Sequence, residues 1–565
     1  MKAKTKLIMS IMSICLVCAV FAIGVFALKT ANLKIGGDVS FKATGVEATI
    51  TDAEFKIGTT SIAPTGFVTG GKIDTSMTQA NINQTFATWA NLDFDFNEAG
   101  DDIVFSFNIK NDSTNPDHYI EIDYEYSFKT ATKNVDVYPG TTNEYILKPN
   151  TSATSFSLVL KLLDKELDIT DNSLDITISL KHIEPVEPTG WAFTANQPAA
   201  GEATLTEFTG TLPANKVLEI PAVIKSGGNN YVVTKLYSAG GIEVSPETTS
   251  FFSDTVRDVV FPNSIEETEG CMVNQNTINL QSLELPISLK IIGDYLIYSS
   301  TQISTTIPNG VTTIKYAFTG AMALKTLTIP ANVTTVNGIS HCLALVEVVN
   351  LSGVDLSDSG LDATNVDIIT KHSDSKISYV GDYVFFNGEE KTILVDYVGN
   401  DSVLTLPSID GGYEIGYYAF SRSYATSVTI PEGVTKIAGC AFFGGNTGGG
   451  SIILNITSVS FPSTLEEIGA SAFFGCPIQT LIIPSNVKTI ESSAFAAASR
   501  NVVKIDSQYI VNQLTSEDAA GAVVHGASSI HIKQGLDVTA ATYLTSAYST
   551  TGAVDGDGYI LYTLK

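Results

Sequence analysis

Residues 465–490 read LEEIGASAFFGCPIQTLIIPSNVKTI, and this stretch decides the fold because its parts recur along the chain. The first part is a short apolar strand that ends in proline, as LIIP does at residues 481–484. The same pattern ends at Pro262, Pro286, Pro308, Pro330, Pro407, Pro431, Pro462 and Pro484. The successive spacings between these prolines are 24, 22, 22, 77, 24, 31 and 22 residues. A period of 22–24 residues predicts a solenoid in which each repeat forms one coil.

Two further elements keep the same period. An apolar return segment follows each proline, as Val434 and Ile437 do after Pro431. An Ala-Phe pair recurs as Ala317-Phe318, Ala419-Phe420, Ala441-Phe442, Ala472-Phe473 and Ala494-Phe495. We expect the strands of successive coils to pair in parallel, about 4.8 Å apart, and each proline to end its strand because it has no N–H to donate. The return segments and phenylalanines would fill the core, so the coils are stable only when stacked.

This triple pattern resembles the BspA-type leucine-rich repeat family. The resemblance covers residues 251–505 and is followed by a C-terminal cap over residues 506–565, in which residues 527–533 and 558–564 still look like strands. It implies a mainly β fold with a parallel-stranded solenoid. It also implies a protein of the cell surface that binds ligands without catalysing a reaction.

Three segments depart from the period. Residues 377–398 contain Asn387-Gly388 between apolar runs, which predicts a hairpin that projects from the solenoid. Residues 444–451, GGNTGGGS, lack the lysine of a phosphate-binding loop and are interpreted as a surface loop. Residues 555–558, DGDG, offer too few oxygen ligands for calcium and are interpreted as a hairpin turn.

Residues 32–184 show strict alternation of apolar and polar residues, which is typical of strands with one buried face. The runs include Ile103, Phe105, Phe107 and Ile109; Ile120, Ile122, Tyr124, Tyr126 and Phe128; Phe156, Leu158, Leu160 and Leu162; and Leu174, Ile176, Ile178 and Leu180. Turn-forming residues separate them, so the sequence predicts an antiparallel β-sandwich. Residues 185–250 are interpreted as a linker followed by the N-terminal cap of the solenoid.

A sandwich directly after an export signal resembles the camelysin/TasA group of exported proteins. That resemblance implies a surface or matrix-fibre role, and some members are described as metallopeptidases. The zinc-protease signature needs two histidines one helical turn apart with an adjacent glutamate. The histidines of this chain, His118, His182, His341, His372, His525 and His531, include no such pair. We therefore expect no metal site and no cofactor.

Residues 1–31 are interpreted as a signal peptide or an N-terminal anchor. Lys2, Lys4 and Lys6 precede an uncharged stretch over residues 7–28, which is typical of an export signal. This segment could be cleaved or could remain as a membrane anchor, since 22 residues can cross a bilayer. The sequence thus predicts a secreted or cell-surface protein that touches a membrane only through an uncleaved N-terminal segment.

Charge and cysteine content narrow the function classes. The formal net charge is −27 and the chain has three arginines, which excludes a nucleic-acid partner. Four cysteines follow the N-terminal segment: Cys271, Cys342, Cys440 and Cys476. Their spacing is neither that of a compact disulfide framework nor that of a set of metal ligands. We expect them to be buried thiols.

The position two residues before each proline should point out of the strand, onto a concave face that could bind ligands. The candidate residues there are Glu284, Thr306, Thr328, Thr405, Thr429 and Ser460. Threonine also simply suits a half-exposed strand, so both interpretations stay open. No catalytic constellation is evident, and two hypotheses remain. One is a non-enzymatic adhesion protein that binds protein or glycan ligands, and the other is a matrix component assembled through the sandwich.

Overall fold

The computed structural model describes residues 39–565 except 44–45, 58–59, 63–64, 70–82, 94–101, 129–134, 141–142, 163–173, 240–249, 275–276, 278, 281–282, 299, 301–304, 362–365, 422, 445–454, 497–499 and 525–526. The predicted signal peptide or anchor and most of the glycine-rich segment at 444–451 lie outside the described residues. Among the helices of the described part, none has the length and apolar character needed to cross a membrane.

The N-terminal domain is an antiparallel β-sandwich, as predicted. Its strands are β1 (Val39–Ala43), β2 (Val46–Ile57), β3 (Thr60–Ile62), β4 (Thr65–Thr69), β5 (Asn83–Asp93), β6 (Asp102–Asn111), β7 (Tyr119–Phe128), β8 (Val135–Pro139), β9 (Ile146–Leu147), β10 (Thr154–Leu162) and β11 (Leu174–Ile183). One sheet has the order β1-β2-β6-β10-β8 with β3 beside β2, and the other has the order β4-β5-β11-β7-β9.

The alternation seen in the sequence sets the core of the sandwich. Ile103, Phe105, Phe107 and Ile109 on β6 are all buried, while the residues between them are partly exposed. The rings of Tyr124 on one sheet and Phe156 on the other lie 6.3 Å apart, so the two buried faces pack against each other.

The solenoid begins within the segment predicted to be its N-terminal cap. This segment holds β12 (Trp191–Ala195), β13 (Glu202–Phe208), β14 (Val217–Glu219), β15 (Val223–Ser226) and β16 (Asn229–Tyr237). Strand β14 pairs in parallel with the strand before Pro262, and β16 pairs in parallel with the return strand after it. The cap therefore already carries both elements of a coil.

The first block of coils follows. Its strands are β17 (Asp258–Val260), β18 (Glu267–Glu269), β19 (Ile291–Ile292), β20 (Thr313–Lys315), β21 (Thr326–Ile329), β22 (Thr335–Asn337), β23 (Glu347–Asn350) and β24 (Asp367–Ile369), with a 3-10 turn at His372–Asp374.

The second block is built in the same way. Its strands are β25 (Ile377–Val380), β26 (Tyr383–Asn387), β27 (Thr392–Tyr397), β28 (Val403–Thr405), β29 (Tyr413–Ile415), β30 (Ser427–Thr429), β31 (Val434–Ile437), β32 (Ser458–Ser460), β33 (Glu467–Ile468), β34 (Thr480–Ile483) and β35 (Thr489–Ile490).

The coils form two parallel ladders rather than one. The strands before the prolines form the first, which we call the proline ladder, and it includes β28-β30-β32. The return segments form the second, the return ladder, with the longer orders β16-β18-β19-β20-β22 and β27-β29-β31-β33-β35. The return segments were expected only to fill the core. They do bury Val434 and Ile437, but they also pair as strands.

The proline ladder is interrupted in the first block. The described residues before Pro286 and Pro308, 283–285 and 305–307, are not in strands, contrary to the sequence prediction, although Leu283 and Ile307 remain buried as the pattern requires. The hydroxyl of Thr305 donates to the carbonyl oxygen of Leu283 at 2.6 Å. Such a side-chain bond competes with the backbone bond of a ladder.

The predicted hairpin at 377–398 exists, but it does not project from the solenoid. Strands β25, β26 and β27 pair antiparallel, and β27 then pairs in parallel with β29 of the next coil. Phe385, Leu394 and Tyr397 are buried in the core of the second block. The prediction that the hairpin projects is therefore wrong, because its apolar face closes the open end of that core.

The array contains two cores rather than one continuous core. One includes buried residues between Ala203 and Val366, and the other includes buried residues between Phe385 and Tyr562. A small cluster that includes Val346 and Phe386 lies between them. The inserted segment thus divides the predicted single body into two packed blocks.

A column of phenylalanine rings runs through the second core. The ring centroids of Phe420 and Phe442 are 4.5 Å apart, those of Phe442 and Phe473 are 4.8 Å apart, and those of Phe473 and Phe495 are 5.3 Å apart. Adjacent rings are within 9° of parallel. The four rings are completely buried, so the Ala-Phe motif supplies one layer of the core in every coil.

The residue before each Ala-Phe pair has a left-handed backbone. The φ angles are 45° at Tyr316, 53° at Tyr418, 55° at Cys440, 55° at Ser471 and 57° at Ser493. A side chain in this region costs about 1–2 kcal/mol. The turn that it makes lets the N–H of the following phenylalanine donate to the alanine carbonyl of the next coil, as from Phe442 to Ala472 at 2.8 Å.

The C-terminal cap closes the second block. It comprises β36 (Arg500–Ile505), α1 (Gln508–Gln513), α2 (Glu517–Val524), β37 (Ala527–Lys533), α3 (Thr542–Ala547), β38 (Tyr548–Val554) and β39 (Tyr559–Leu564). The order β34-β36-β37-β39-β38 ends the parallel ladder with antiparallel strands. The strands predicted near 527–533 and 558–564 are confirmed, and residues 555–558 form the predicted hairpin turn between β38 and β39.

The four cysteines of the coils are free thiols, as expected, but only Cys271 and Cys476 are fully buried, whereas Cys342 and Cys440 are half-buried. The Sγ atom of Cys342 donates to the carbonyl oxygen of Phe318, and Sγ of Cys476 donates to that of Phe442, so these two thiols join coils. Burial raises the pKa of Cys271 and of Cys342 to about 12, so neither is poised for reaction.

Removing one ring from the column should destabilise the second block. We expect Phe442→Ala to lower the free energy of unfolding by about 3–5 kcal/mol, because it leaves a cavity between two stacked rings. Phe442→Leu should cost less because it retains most of the apolar volume. Chemical denaturation followed by circular dichroism measures both changes. The control is Tyr424→Ala, whose side chain is 55% exposed, and an equal loss for Tyr424→Ala and Phe442→Ala would contradict the role of the column.

Candidate ligand-binding face

The predicted face residues point away from the core. Glu284, Thr306, Thr405, Thr429 and Ser460 are exposed, and Thr328 is half-buried. On the second block the flanking residues Leu404 and Val428 are buried, as strand alternation requires. The outward direction of the six candidate residues agrees with the sequence pattern.

The structure brings three of the six together. Thr405 on β28 pairs with Thr429 on β30, which pairs with Ser460 on β32. Two residues earlier on the same strands, Val403, Ser427 and Ser458 are also in register. We call these six residues together with Thr480 and Ile482 of β34 the outer face of the second block.

The other three candidates lie apart from this face. Thr328 lies on β21 and pairs with Val349 in a separate sheet. Glu284 and Thr306 lie in the interrupted part of the proline ladder, where no strand forms. A continuous ladder of all six residues is therefore not present.

Charge is distributed unequally between the two ladders. On the return ladder, ion pairs join coil to coil: Lys290 to Glu266 at 3.0 Å, Lys436 to Glu467 at 2.8 Å and Lys488 to Glu466 at 2.6 Å. The outer face of the second block consists of threonine, serine, valine and isoleucine. Two of its apolar side chains are well exposed, Val403 at 66% and Ile482 at 47%. It offers hydroxyl groups and apolar surface to a ligand, without charges that must be desolvated.

The sandwich packs against the first coils, which the sequence did not indicate. The backbone N–H of Asn263, directly after Pro262, donates to Oε1 of Glu121 on β7. The side chain of Asn309, directly after Pro308, donates to the carbonyl oxygen of Val137 at 3.0 Å. The coil between these two has Ile287 after Pro286, so no regular pattern in the sequence indicates the contact.

A cleft of about 500 Å³ separates the docked sandwich from the first coils. Its lining includes Glu121, Asp123 and Glu125 of the sandwich and Asp258 and Glu284 of the coils. Glu284 therefore belongs to an acidic cleft rather than to the uncharged face. One wall carries a compensating positive charge, since Nζ of Lys181 lies 3.4 Å from Oε2 of Glu121.

The environment of Asp123 in this cleft disfavours its charged form. Burial is the largest cause that raises its pKa above the ordinary value, and the carboxylates of Glu121 and Glu125 raise the pKa further. Hydrogen bonds from the N–H of Tyr124 at 2.9 Å and from the side chain of Asn263 at 3.2 Å act in the opposite direction.

A second group of polar side chains lies at the end of the sandwich. The ligand atoms of His118, His182 and Glu184 are all within 4.8 Å of one another. A pattern of histidines one helical turn apart does not describe this group. The pairing of β7 with β11 brings residues together that are distant in the sequence. This group is the arrangement through which the described residues could hold a metal ion.

Comparison with known families matches the coils. Residues 247–345 and 413–517 match the sequence model of the BspA type leucine rich repeat region, in six copies. The resemblance stated from the proline and Ala-Phe pattern is confirmed for these residues. Comparison with curated proteins gives no match. The resemblance of the sandwich to camelysin and TasA is not shown and stays a prediction.

Solved structures of bacterial leucine-rich repeat proteins are similar to this chain. A leucine rich cell surface protein from Faecalibacterium prausnitzii A2-165 is 20% identical, covers 56% of this chain and 88% of its own length, and has a TM-score of 0.25. A leucine-rich repeat protein from Bacteroides ovatus ATCC 8483 is 18% identical to this chain. The match covers 56% of this chain and 93% of that protein, with a TM-score of 0.23. The family match, rather than these likenesses, identifies the coils.

The raised pKa of Asp123 predicts how stability changes with pH. A carboxyl whose pKa is higher in the folded state stabilises the fold below its ordinary pKa of 3.8, and this contribution is lost as pH rises through the folded value. Asp123→Asn cannot ionise and keeps an oxygen acceptor. We therefore expect a higher melting temperature than wild type at pH 7, with the difference vanishing as pH falls below 3.8.

Thermal melts at a series of pH values measure this difference. The control is Glu284→Gln, which removes an exposed carboxylate from the same cleft and should change the melting temperature less. A melting temperature of Asp123→Asn below that of wild type at pH 7 would contradict the interpretation.

Proposed function

Because residues 247–345 and 413–517 are BspA type leucine rich repeats, we propose that this protein is an exported, non-enzymatic binding protein of the cell surface. Its outer face of the second block binds protein or glycan ligands in an adhesion role. Export rests on the basic and apolar pattern of residues 1–31.

The observation that carries this proposal is the uncharged outer face in a strongly acidic chain. The formal net charge is −27, and the return ladder of the same coils is lined with ion pairs. None of the eight residues that define the outer face can carry a charge.

The chemistry of the face suits extended ligands. Hydroxyl groups of threonine and serine both donate and accept hydrogen bonds, as hydroxyl-rich glycans and peptide backbones require. The rows run across three paired strands, so one ligand can contact several coils. Strand-held side chains of this kind are also rigid, which lowers the entropy lost on binding.

The same face offers no means of activating its hydroxyls. A nucleophilic serine or threonine needs a neighbouring base. The register neighbours of Thr429 are Thr405 and Ser460, which are themselves hydroxyl residues. This supports binding rather than catalysis. The alternative of a matrix component assembled through the sandwich stays a prediction.

A charge placed on the outer face should weaken binding there. We expect Thr429→Lys to weaken binding to a responsive surface by about tenfold, because a central position contributes most to an interface. The probes are immobilised mucin, immobilised fibronectin and an array of neutral oligosaccharides, with surface plasmon resonance as the measurement.

Thr435→Lys is the matched control, since Thr435 is an exposed threonine of the same coil on the return ladder. It should bind as wild type does. The proposal fails if wild type binds none of the probes above an unrelated acidic protein, or if both lysine variants lose binding equally.

A further inference from the structure

We propose that His118, His182 and Glu184 bind one divalent transition-metal ion, of which Zn²⁺ is the best match, where the sandwich joins the coils. Their ligand atoms lie within 4.8 Å of one another. This site is separate from the outer face of the second block, and the inference does not depend on the proposed function.

Strand register explains why three residues distant in sequence meet. His182 pairs with Ile120, and Ile183 pairs with Tyr119, in the antiparallel pairing of β11 with β7. Continuing that register by one residue places Glu184 opposite His118. Because side chains alternate along a strand, His182 and Glu184 point to the same side.

That side is the one that faces the core of the sandwich. On this face Leu180 of β11 precedes His182 and Ile120 of β7 follows His118, and both are completely buried. The apolar face thus ends, at the end of the sandwich, in two imidazoles and a carboxylate.

The two imidazole rings are already close together. Their centroids lie 4.8 Å apart, with the rings nearly perpendicular at 78°. The Nε2 atom of His182 is buried and has no hydrogen-bond partner among the residues that the structure describes. A buried polar nitrogen without a partner costs free energy, and coordination of a metal ion would satisfy it.

The ligand set selects the metal. Two imidazoles and one carboxylate suit zinc, copper or nickel rather than calcium or magnesium, which prefer oxygen ligands. Tetrahedral zinc with bonds of about 2.0–2.2 Å places its ligand atoms about 3.3 Å apart. The three side chains must therefore draw together by about 1.5 Å at most, which the exposed Glu184 can supply. The fourth position would be left for water.

The position of the site indicates what the ion would do. His118 follows Asp117, whose carboxylate contacts Nζ of Lys225 at 2.6 Å and Nδ2 of Asn230 at 3.0 Å in the N-terminal cap. Glu184 opens the linker, in which Val186 forms a bridge with Ile224 of β15. An ion held by His118, His182 and Glu184 would fasten the linker to the loop before β7, and so would stabilise the joint between the sandwich and the coils.

Isothermal titration of the metal-stripped full chain with zinc chloride tests this proposal. We expect one ion per chain, and binding that is weakened by about tenfold or more in His182→Asn and in Glu184→Gln. The matched control is His531→Asn, because His531 lies 3.3 Å from Asp555 and the described residues offer no third ligand there. It should bind zinc as wild type does.

Thermal melts of the same four proteins provide a second readout. Zinc should raise the melting temperature of wild type and of His531→Asn, and should raise that of His182→Asn and Glu184→Gln little. Melts without zinc show whether each variant is folded. The proposal is overturned if wild type shows neither heat nor stabilisation at about 100 µM zinc, or if all four proteins bind equally.

Discussion

The structure depends on the stacking of one phenylalanine per coil in the second block. The rings of Phe420, Phe442, Phe473 and Phe495 are nearly parallel and completely buried. Their spacing of 4.5 to 5.3 Å is close to the separation of paired strands, about 4.8 Å, so ring stacking and strand pairing support the same coil height. The left-handed residue before each Ala-Phe pair sets the direction of each ring, and its cost recurs in every coil. Because this column fixes the spacing between coils, the residues of the outer face lie in register from one coil to the next.

The column also explains how the array begins and ends. The ring of Tyr397, from the hairpin at β26 and β27, lies 5.8 Å from that of Phe420 and extends the column at one end. At the other end the antiparallel strands β37, β39 and β38 close the ladder. The first block has its own core and its own cap, against which the sandwich docks. The inserted segment therefore separates two blocks, each of which closes its own apolar interior.

Features that show as short patterns of neighbouring residues could be predicted from the sequence. The strand before Pro431, the Ala-Phe pairs and the turn at residues 555–558 were all visible as short patterns at fixed spacing. The pairing of the return segments was not, because strands such as β20 and β22 are only three residues long and are too short to show the repeated alternation of a strand. Contacts between distant residues were also invisible, such as Asn263 with Glu121 and His118 with His182. They depend on which strand faces which, and one sequence contains no signal for that choice.

The coils form two separately packed blocks, and the second is ordered by its ring column. Hydrogen exchange of the full chain, followed by mass spectrometry under increasing denaturant, resolves such blocks because cooperative units open at their own free energies. We expect backbone amides between residues 203 and 366 to become exposed in one step, and those between 385 and 562 in another. Exchange of all these amides in a single step would contradict this expectation, since one continuous core would then span the insertion.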